Sequence, residues 1–231
     1  MDFSGWEKLS LVDYDDRIAT TLFVAGCNLR CPFCHNSALV LHPKNNPTIP
    51  WEEIMEYLER RKGVLDAVVI TGGEPTLMND LIEKMQDIKK LGYLIKLDTN
   101  GTNPDLLMDL SNLGLVDYIA MDIKNSLPKY GVTSGKPLLD TSKIEESIRF
   151  LINGVVDYEF RTTIIDEFHT NLDMERIGQL IEGAKRYYLQ HYIDNEYCIE
   201  RGYHEVAKEK ALVFKAIVSK YVAQVSLRGY E

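Results

Sequence analysis

Apolar residues recur along the chain in two rhythms. Some form short runs rich in β-branched and aromatic residues, and others return every three or four positions over longer stretches. The runs Arg17–Gly26 (RIATTLFVAG), Ala67–Thr71 (AVVIT), Leu94–Asp98 (LIKLD), Tyr118–Met121 (YIAM), Tyr158–Ile165, Tyr187–Ile193 and Val222–Leu227 predict strands. The helical rhythm predicts helices over Trp51–Lys62, Leu77–Leu91, Pro104–Leu113, Ser142–Ile152, Met174–Ala184 and Glu205–Ser219. Asn103 before Pro104 and Asp173 before Met174 are the expected N-caps. Strand followed by helix, about six times over, predicts an α/β fold with a parallel sheet and helices outside it. That many units in 231 residues suit a partial barrel or a doubly wound sheet, and no repeat, linker or low-complexity stretch divides them. One domain over residues 1–231 is the expectation.

A parallel sheet collects its functional residues in the loops after the strands. The polar and reactive residues of this chain fall there. Cys27–Cys34 follows the first predicted strand, and Gly72-Gly73-Glu74 follows the second. Asp98-Thr99-Asn100-Gly101 ends the third, Asp122 and Lys124 end the fourth, and Arg161 lies in the fifth.

Composition narrows the partners. With 35 Asp and Glu against 26 Lys and Arg, the net charge is −9, which argues against a nucleic-acid backbone binder. The opening MDFSGWEKLSLVDYDD carries acids and no apolar core, so no secretory signal is expected. No apolar run nears the roughly 18 residues of a membrane span. A cytoplasmic protein without membrane or nucleic-acid partners is expected, and clustered thiols there suggest metal or redox chemistry rather than disulfides. Arg60, Arg61 and Lys62 read as a solvated helix end more readily than as a docking patch, and the distant Cys198 as a structural thiol.

Cys27-Asn-Leu-Arg-Cys31-Pro-Phe-Cys34-His35 admits several chemistries. Adjacent Cys34 and His35 fit one tetrahedral zinc ion poorly. A thioredoxin-like pair at Cys31 and Cys34 leaves Cys27 without a role. The Cys-x2-Cys-His run also matches a c-type haem attachment, with no export signal to support it. Three thiolates on one loop could instead hold an iron–sulfur cluster with one iron open.

This loop, with an aromatic (Phe33) before its last cysteine, resembles the Cys-x3-Cys-x2-Cys signature of the radical S-adenosylmethionine (SAM) enzymes. The resemblance implies a partial (β/α)6 TIM-like barrel. It also implies a [4Fe–4S] cluster on Cys27, Cys31 and Cys34, whose open iron binds SAM and reductively cleaves it to methionine and a 5′-deoxyadenosyl radical. Gly72-Gly73-Glu74-Pro75 resembles the family's GGE motif, which meets the SAM amino group. Paired glycines allow close backbone approach, and a carboxylate suits an ammonium.

Gly26–Asn36, including the Cys-His-Asn ending at Asn36, is similar to the glycyl-radical-enzyme activases, as are Leu97-Asp-Thr-Asn-Gly101 and Met121-Asp-Ile-Lys124. By that likeness Phe33, Asn36, Gly72, Gly73, Glu74, Thr99, Asn100, Asp122, Lys124 and Arg161 surround SAM. Thr99 and Lys124 lie by its carboxylate. Asp98, Thr99, the Ala120 carbonyl and Asp122 ring a monovalent cation. Ser10-Leu-Val-Asp-Tyr14 and Ser226-Leu-Arg-Gly229 resemble the activating proteins of anaerobic ribonucleoside-triphosphate reductase. Two places depart from that subgroup: Asp15-Asp16 replaces Pro-Gly, and His191-Tyr192-Ile193-Asp194 stands where Gln-Phe-Arg-Pro is common. The resemblance implies a glycyl radical enzyme as protein substrate and a flavodoxin or ferredoxin as electron donor. Other readings are an activase of a pyruvate formate-lyase-like enzyme and a radical SAM enzyme acting on a small molecule. A zinc or redox-thiol protein is the rival from another class.

Overall fold

The computed structural model describes residues 2–154 and 156–230. Eight strands and eight α-helices are described, in an order that alternates after the first hairpin. They are β1 (Phe3–Ser10), β2 (Ala19–Val24), α1 (Ser37–Leu41), α2 (Trp51–Arg60), β3 (Ala67–Gly72), α3 (Leu81–Lys90), β4 (Leu94–Thr99) and α4 (Pro104–Asn112). There follow β5 (Tyr118–Asp122), α5 (Leu127–Thr133), α6 (Ser142–Ile152), β6 (Asp157–Ile164), α7 (Asn171–Leu180), β7 (Arg186–His191), α8 (Lys208–Val218) and β8 (Gln224–Arg228). The seven expected strands and six expected helices are all present, shifted by a few residues at their ends. The hairpin strand β1 and the short helices α1 and α5 carry too weak a periodicity to be read beforehand. Among the described residues no helix is long and apolar enough to cross a membrane.

Contacts divide the chain into two compact units. The first holds the chain up to Asn28, Ala38–Thr99 and Asp105–Ile119; the second holds Leu29–Ser37, Asn100–Pro104 and the chain from Ala120 on.

In the first unit β1 runs antiparallel to β2, and β2, β3 and β4 run parallel. A short connection permits an antiparallel turn-back, whereas parallel neighbours need a crossover, supplied here by α2 and α3. β2 and β3 stay in step from Ala19 opposite Ala67 to Val24 opposite Gly72. Val68, Val69 and Ile70 are all fully buried, so β3 is covered on both faces, as a parallel strand flanked by helices must be. The apolar stripes of α2 (Ile54, Leu58) and α3 (Met85, Ile88) are fully buried as well. Polar β2 residues are satisfied inside: Trp6 Nε1 donates to Thr20 Oγ1 at 2.8 Å, and Thr21 Oγ1 donates to Asp13 Oδ2 at 2.6 Å. Buried Lys96 donates to the Asp13 carbonyl at 2.5 Å, its ammonium 5.9 and 5.6 Å from the Tyr14 and Tyr118 rings. The basic helix end is solvated as read: Arg60 pairs with Glu56, Lys62 with Glu59, and Arg61 lies over Tyr57.

In the second unit β6, β7 and β8 are parallel and in register, with Phe160 opposite Tyr187 and Tyr187 opposite Val225. The start of α7 corrects the sequence reading. Its N-cap is Thr170, and Asp173 is the third helical residue of a capping box, each side chain accepting from the other's backbone N–H. Asp173 is 1% exposed and also takes Lys129 Nζ at 2.6 Å and Ser126 Oγ at 3.0 Å. Burial would raise its pKa, but the bonds from Lys129, Thr170 and Ser126 hold it at about 2.

Asp173→Ala should therefore cost about 2–4 kcal/mol in urea unfolding, since it orphans a lysine and two hydroxyls at once. Arg60→Ala, in an exposed pair, should stay within about 0.5 kcal/mol of the parent. A loss below about 1 kcal/mol for Asp173→Ala would contradict this account.

Candidate active site

None of the four cysteines is in a disulfide; Cys31 and Cys198 are buried, Cys27 and Cys34 half-buried. Cys27 closes the first unit's β2 loop, and Cys31 and Cys34 belong to the second unit. Leu29 and Phe33 are buried, and the Phe33 ring lies 6.1 Å from Phe168. Burial pushes the Cys34 thiol up, while the Asn36 backbone N–H and the Lys124 charge pull the other way. Among the described residues no three His, Cys, Asp or Glu side chains are gathered into a metal-holding group. The donor set itself is three soft sulfur ligands in eight residues with no carboxylate between them, which suits iron–sulfur chemistry and not a hard cation.

In the first unit the ends of β2 and β3 meet backbone to backbone. Glu74 N donates to Gly26 O at 2.8 Å, and a Cβ on Gly73 would come 1.9 Å from that carbonyl oxygen. Gly72 has φ +115°, where a side chain is also strained. Only glycine fits either place. Glu74, 1% exposed, gathers three donors on Oε1: Thr76 N at 3.1 Å, Thr76 Oγ1 at 2.6 Å and Thr99 Oγ1 at 2.8 Å. Two expected site residues, Glu74 and Thr99, are thus joined directly. Asp98 lies 3.8 Å from Lys96 Nζ.

In the second unit Asn100 is bound within its own turn, Oδ1 accepting from Thr102 N and Oγ1 at 3.0 and 2.7 Å. Asp122 brings together two more expected residues. Its Oδ1 accepts from Arg161 Nε and its Oδ2 from Lys124 Nζ, both at 2.9 Å. Burial would raise the Asp122 pKa; the Arg161 and Lys124 charges overcome it and hold the carboxyl at about 2. Burial alone would lower the Lys124 pKa, yet Asp122 drives it well above the ordinary lysine range. A cation beside Asp122 would compete with these two fixed charges.

The loop carrying these groups is held at successive carbonyls. Tyr130 OH donates to Asp122 O at 3.3 Å, Thr162 Oγ1 to Ile123 O at 2.6 Å, and His169 Nε2 lies 3.1 Å from Lys124 O. Tyr187 OH backs Thr162 at 2.6 Å, and Asn125 ties Thr133 Oγ1 and Phe168 O at 2.9 and 3.1 Å. None of these supports is visible in the sequence, where each reads as an ordinary loop or strand residue.

The departing segment after β7 lies against the cysteine loop. Ile199 N donates to Cys34 O at 3.1 Å, Glu200 N to Pro32 O at 2.7 Å and Ser37 N to Tyr197 O at 3.3 Å. His35 Nε2 lies 2.7 Å from Ile193 O, and its ring stacks on Tyr192 at 5.8 Å. Cys198 is buried beneath, 3.6 Å from Tyr192 OH.

Residues 21–174 match the model of the radical SAM superfamily. Two proteins of Methanocaldococcus jannaschii, both provisionally named glycyl-radical enzyme activating enzymes, are similar to the chain. One is 33% identical across 82% of this chain and 79% of its own length, the other 28% identical across 97% and 85%. Among solved structures, Streptococcus suis SuiB bound to S-adenosylmethionine superposes with a TM-score of 0.68 at 13% identity. The match covers 90% of this chain and 52% of that one, so the chain spans about half its length. At that identity the likeness is one of fold, the partial α/β barrel.

His169 gives a pH signature. Burial holds its pKa at about 4, outweighing the backbone groups of Lys124 and Ile165, which favour the proton. The folded chain thus binds this proton less readily than the unfolded one. The stability it preserves is complete above pH 6.5 and fades as pH falls toward 4. Between pH 7 and pH 5 the parent should lose about 2 kcal/mol more than His169→Gln in urea unfolding. Equal losses would show that His169 is not held neutral.

Proposed function

Because the chain belongs to the radical SAM superfamily, we propose that it is a SAM-cleaving activase that places a glycyl radical on a partner enzyme. The superfamily uses a [4Fe–4S] cluster and SAM, and Cys27, Cys31 and Cys34 are the residues that would hold the cluster. One observation carries the reading. The three-thiol loop is followed, in order, by Gly72-Gly73-Glu74 and by the Asp122–Lys124–Arg161 group, in a chain whose relatives are named as activating enzymes.

When bound, the cluster supplies the one electron that breaks the C5′–S bond of SAM, leaving methionine and a 5′-deoxyadenosyl radical that takes hydrogen from the glycine. The protein's own work is binding, orientation and exclusion of water. The Gly72-Gly73-Glu74 turn presents backbone and a carboxylate to the SAM amino group. By the family likeness Thr99 would meet its carboxylate, as would Lys124, which shares Asp122 with Arg161. Asp122, Lys124 and Arg161 together carry one net positive charge, which an incoming carboxylate balances. No general base is needed.

Anaerobic ribonucleotide reductase is the first candidate partner, on the Ser10–Tyr14 and Ser226–Gly229 motifs, and a pyruvate formate-lyase-like enzyme the second. A flavodoxin or ferredoxin would supply the electron, and the cytoplasm is the location proposed with it.

Anaerobic reconstitution should give iron–sulfur absorbance and equal amounts of methionine and 5′-deoxyadenosine, both lost in Cys31→Ala. Mixed with its partner, the protein should produce a glycine-centred doublet in electron paramagnetic resonance. Absence of iron–sulfur absorbance and SAM cleavage overturns the reading. Cleavage with no doublet on any glycyl radical enzyme moves it to small-molecule chemistry.

A further inference from the structure

We propose that His169 is a positioning residue that aims Lys124 by fixing its carbonyl. The inference rests on Lys124 meeting the carboxylate of SAM.

The His169 side chain is fully buried; Nδ1 lies 3.0 Å from Ile165 N and 3.2 Å from Ile165 O, while Nε2 faces a carbonyl alone. Lys124 O, at 3.1 Å from Nε2, can only accept, so Nε2 carries the hydrogen. Nδ1 then accepts from Ile165 N at 3.0 Å. The same turn is closed by Phe168 N and His169 N, both donating to Ile165 O at 3.2 and 3.0 Å. The imidazole is therefore locked to the loop after β6 at one edge and grips the loop after β5 at the other.

What it grips explains the placement. Lys124 reaches Asp122 Oδ2 only two residues back along the chain, a contact that depends on the backbone between them. Asp122 O and Ile123 O are held by Tyr130 and Thr162, which leaves the Lys124 carbonyl as the last free swivel in that stretch. His169 closes it. An apolar side chain of the same size would fill the space but take away the donor that meets this carbonyl. A lysine held at its own peptide group also keeps less rotational freedom to lose when a ligand binds.

Glutamine places its amide nitrogen near the reach of Nε2, and asparagine, with the same chemistry, stops one bond short. The readout is equilibrium binding of SAM and of decarboxylated SAM to anaerobically reconstituted protein. The ratio of the two affinities isolates what the carboxylate contributes. His169→Asn should lower the preference for SAM about tenfold, the scale of one hydrogen bond to a charged group. His169→Gln should keep it within about threefold. In a Lys124→Met background, His169→Asn should have no further effect on the ratio, because its route of action is gone.

A structural role alone would weaken both ligands equally, and an unchanged ratio in His169→Asn would overturn the proposal. If that variant does not fold, His169→Gln decides, and a tenfold loss there overturns it. Parent protein that binds neither ligand refutes the SAM reading itself. Parent protein that binds both without preference removes the role of Lys124, and this inference with it.

Discussion

A half-buried carboxylate at the end of a strand is stabilised by fixed positive charge, and Asp122 passes that condition on to the residues around it. Two cations answer it, one on each oxygen, from different places in the chain. Lysine and arginine are long and entropically expensive to hold still, so their backbones must be settled first. Main-chain bonding does part of this, since Ile123 N donates to Arg161 O at 2.7 Å. Side chains from α5, β6 and the loop after β6 do the rest. The ion group and its frame are therefore one object, and the residues with the plainest chemistry depend on the ones with the least.

The first unit solves the same problem without a cation. Glu74 is as buried as Asp173, yet its neighbours are hydroxyl and amide donors on the adjoining turn and strand. A carboxylate whose oxygen already collects three short bonds is a rigid acceptor. Any ligand that meets it meets a group whose orientation was decided by the fold, which is the condition for binding without reorganisation.

Much of this was legible in the residues alone. The strand Ala67–Gly72 announces itself because burial on both faces demands an apolar run, and Leu94–Thr99 through Leu94, Ile95 and Leu97 around Lys96. β1 stays silent because its burial is irregular and its middle carries Glu7 and Lys8. α5 is hidden by Pro128 and Gly131, residues that argue against a helix unless tertiary bonds to Asn125 and Ser126 support its first turn. Asp173 is legible as a helix-start residue but not as to position, since Asp serves both at the N-cap and at N3, three positions later in the helix. The chemistry-bearing residues were found by type and spacing. Their partners were not, because Thr162, His169 and Asn125 matter through contacts between segments distant in sequence, which no local pattern encodes.

The segment from Ile193 to Glu200 grips the cysteine loop through its own peptide groups: two N–H donors and the carbonyls of Ile193 and Tyr197. Peptide groups are common to all residues but proline, so this grip places almost no demand on which side chains the segment carries. The exposed Ile193 and Tyr197 side chains are free of that grip, whereas Asp194 Oδ2 and Asn195 Oδ1 accept from the backbone N–H groups of Gly202 and Tyr197, and Cys198 is buried. That gives the chain exposed positions beside its cysteine loop that can be rewritten at little structural cost, and they adjoin the His191-Tyr192-Ile193-Asp194 run that departs from Gln-Phe-Arg-Pro. Specificity can drift there while the chemistry stands still.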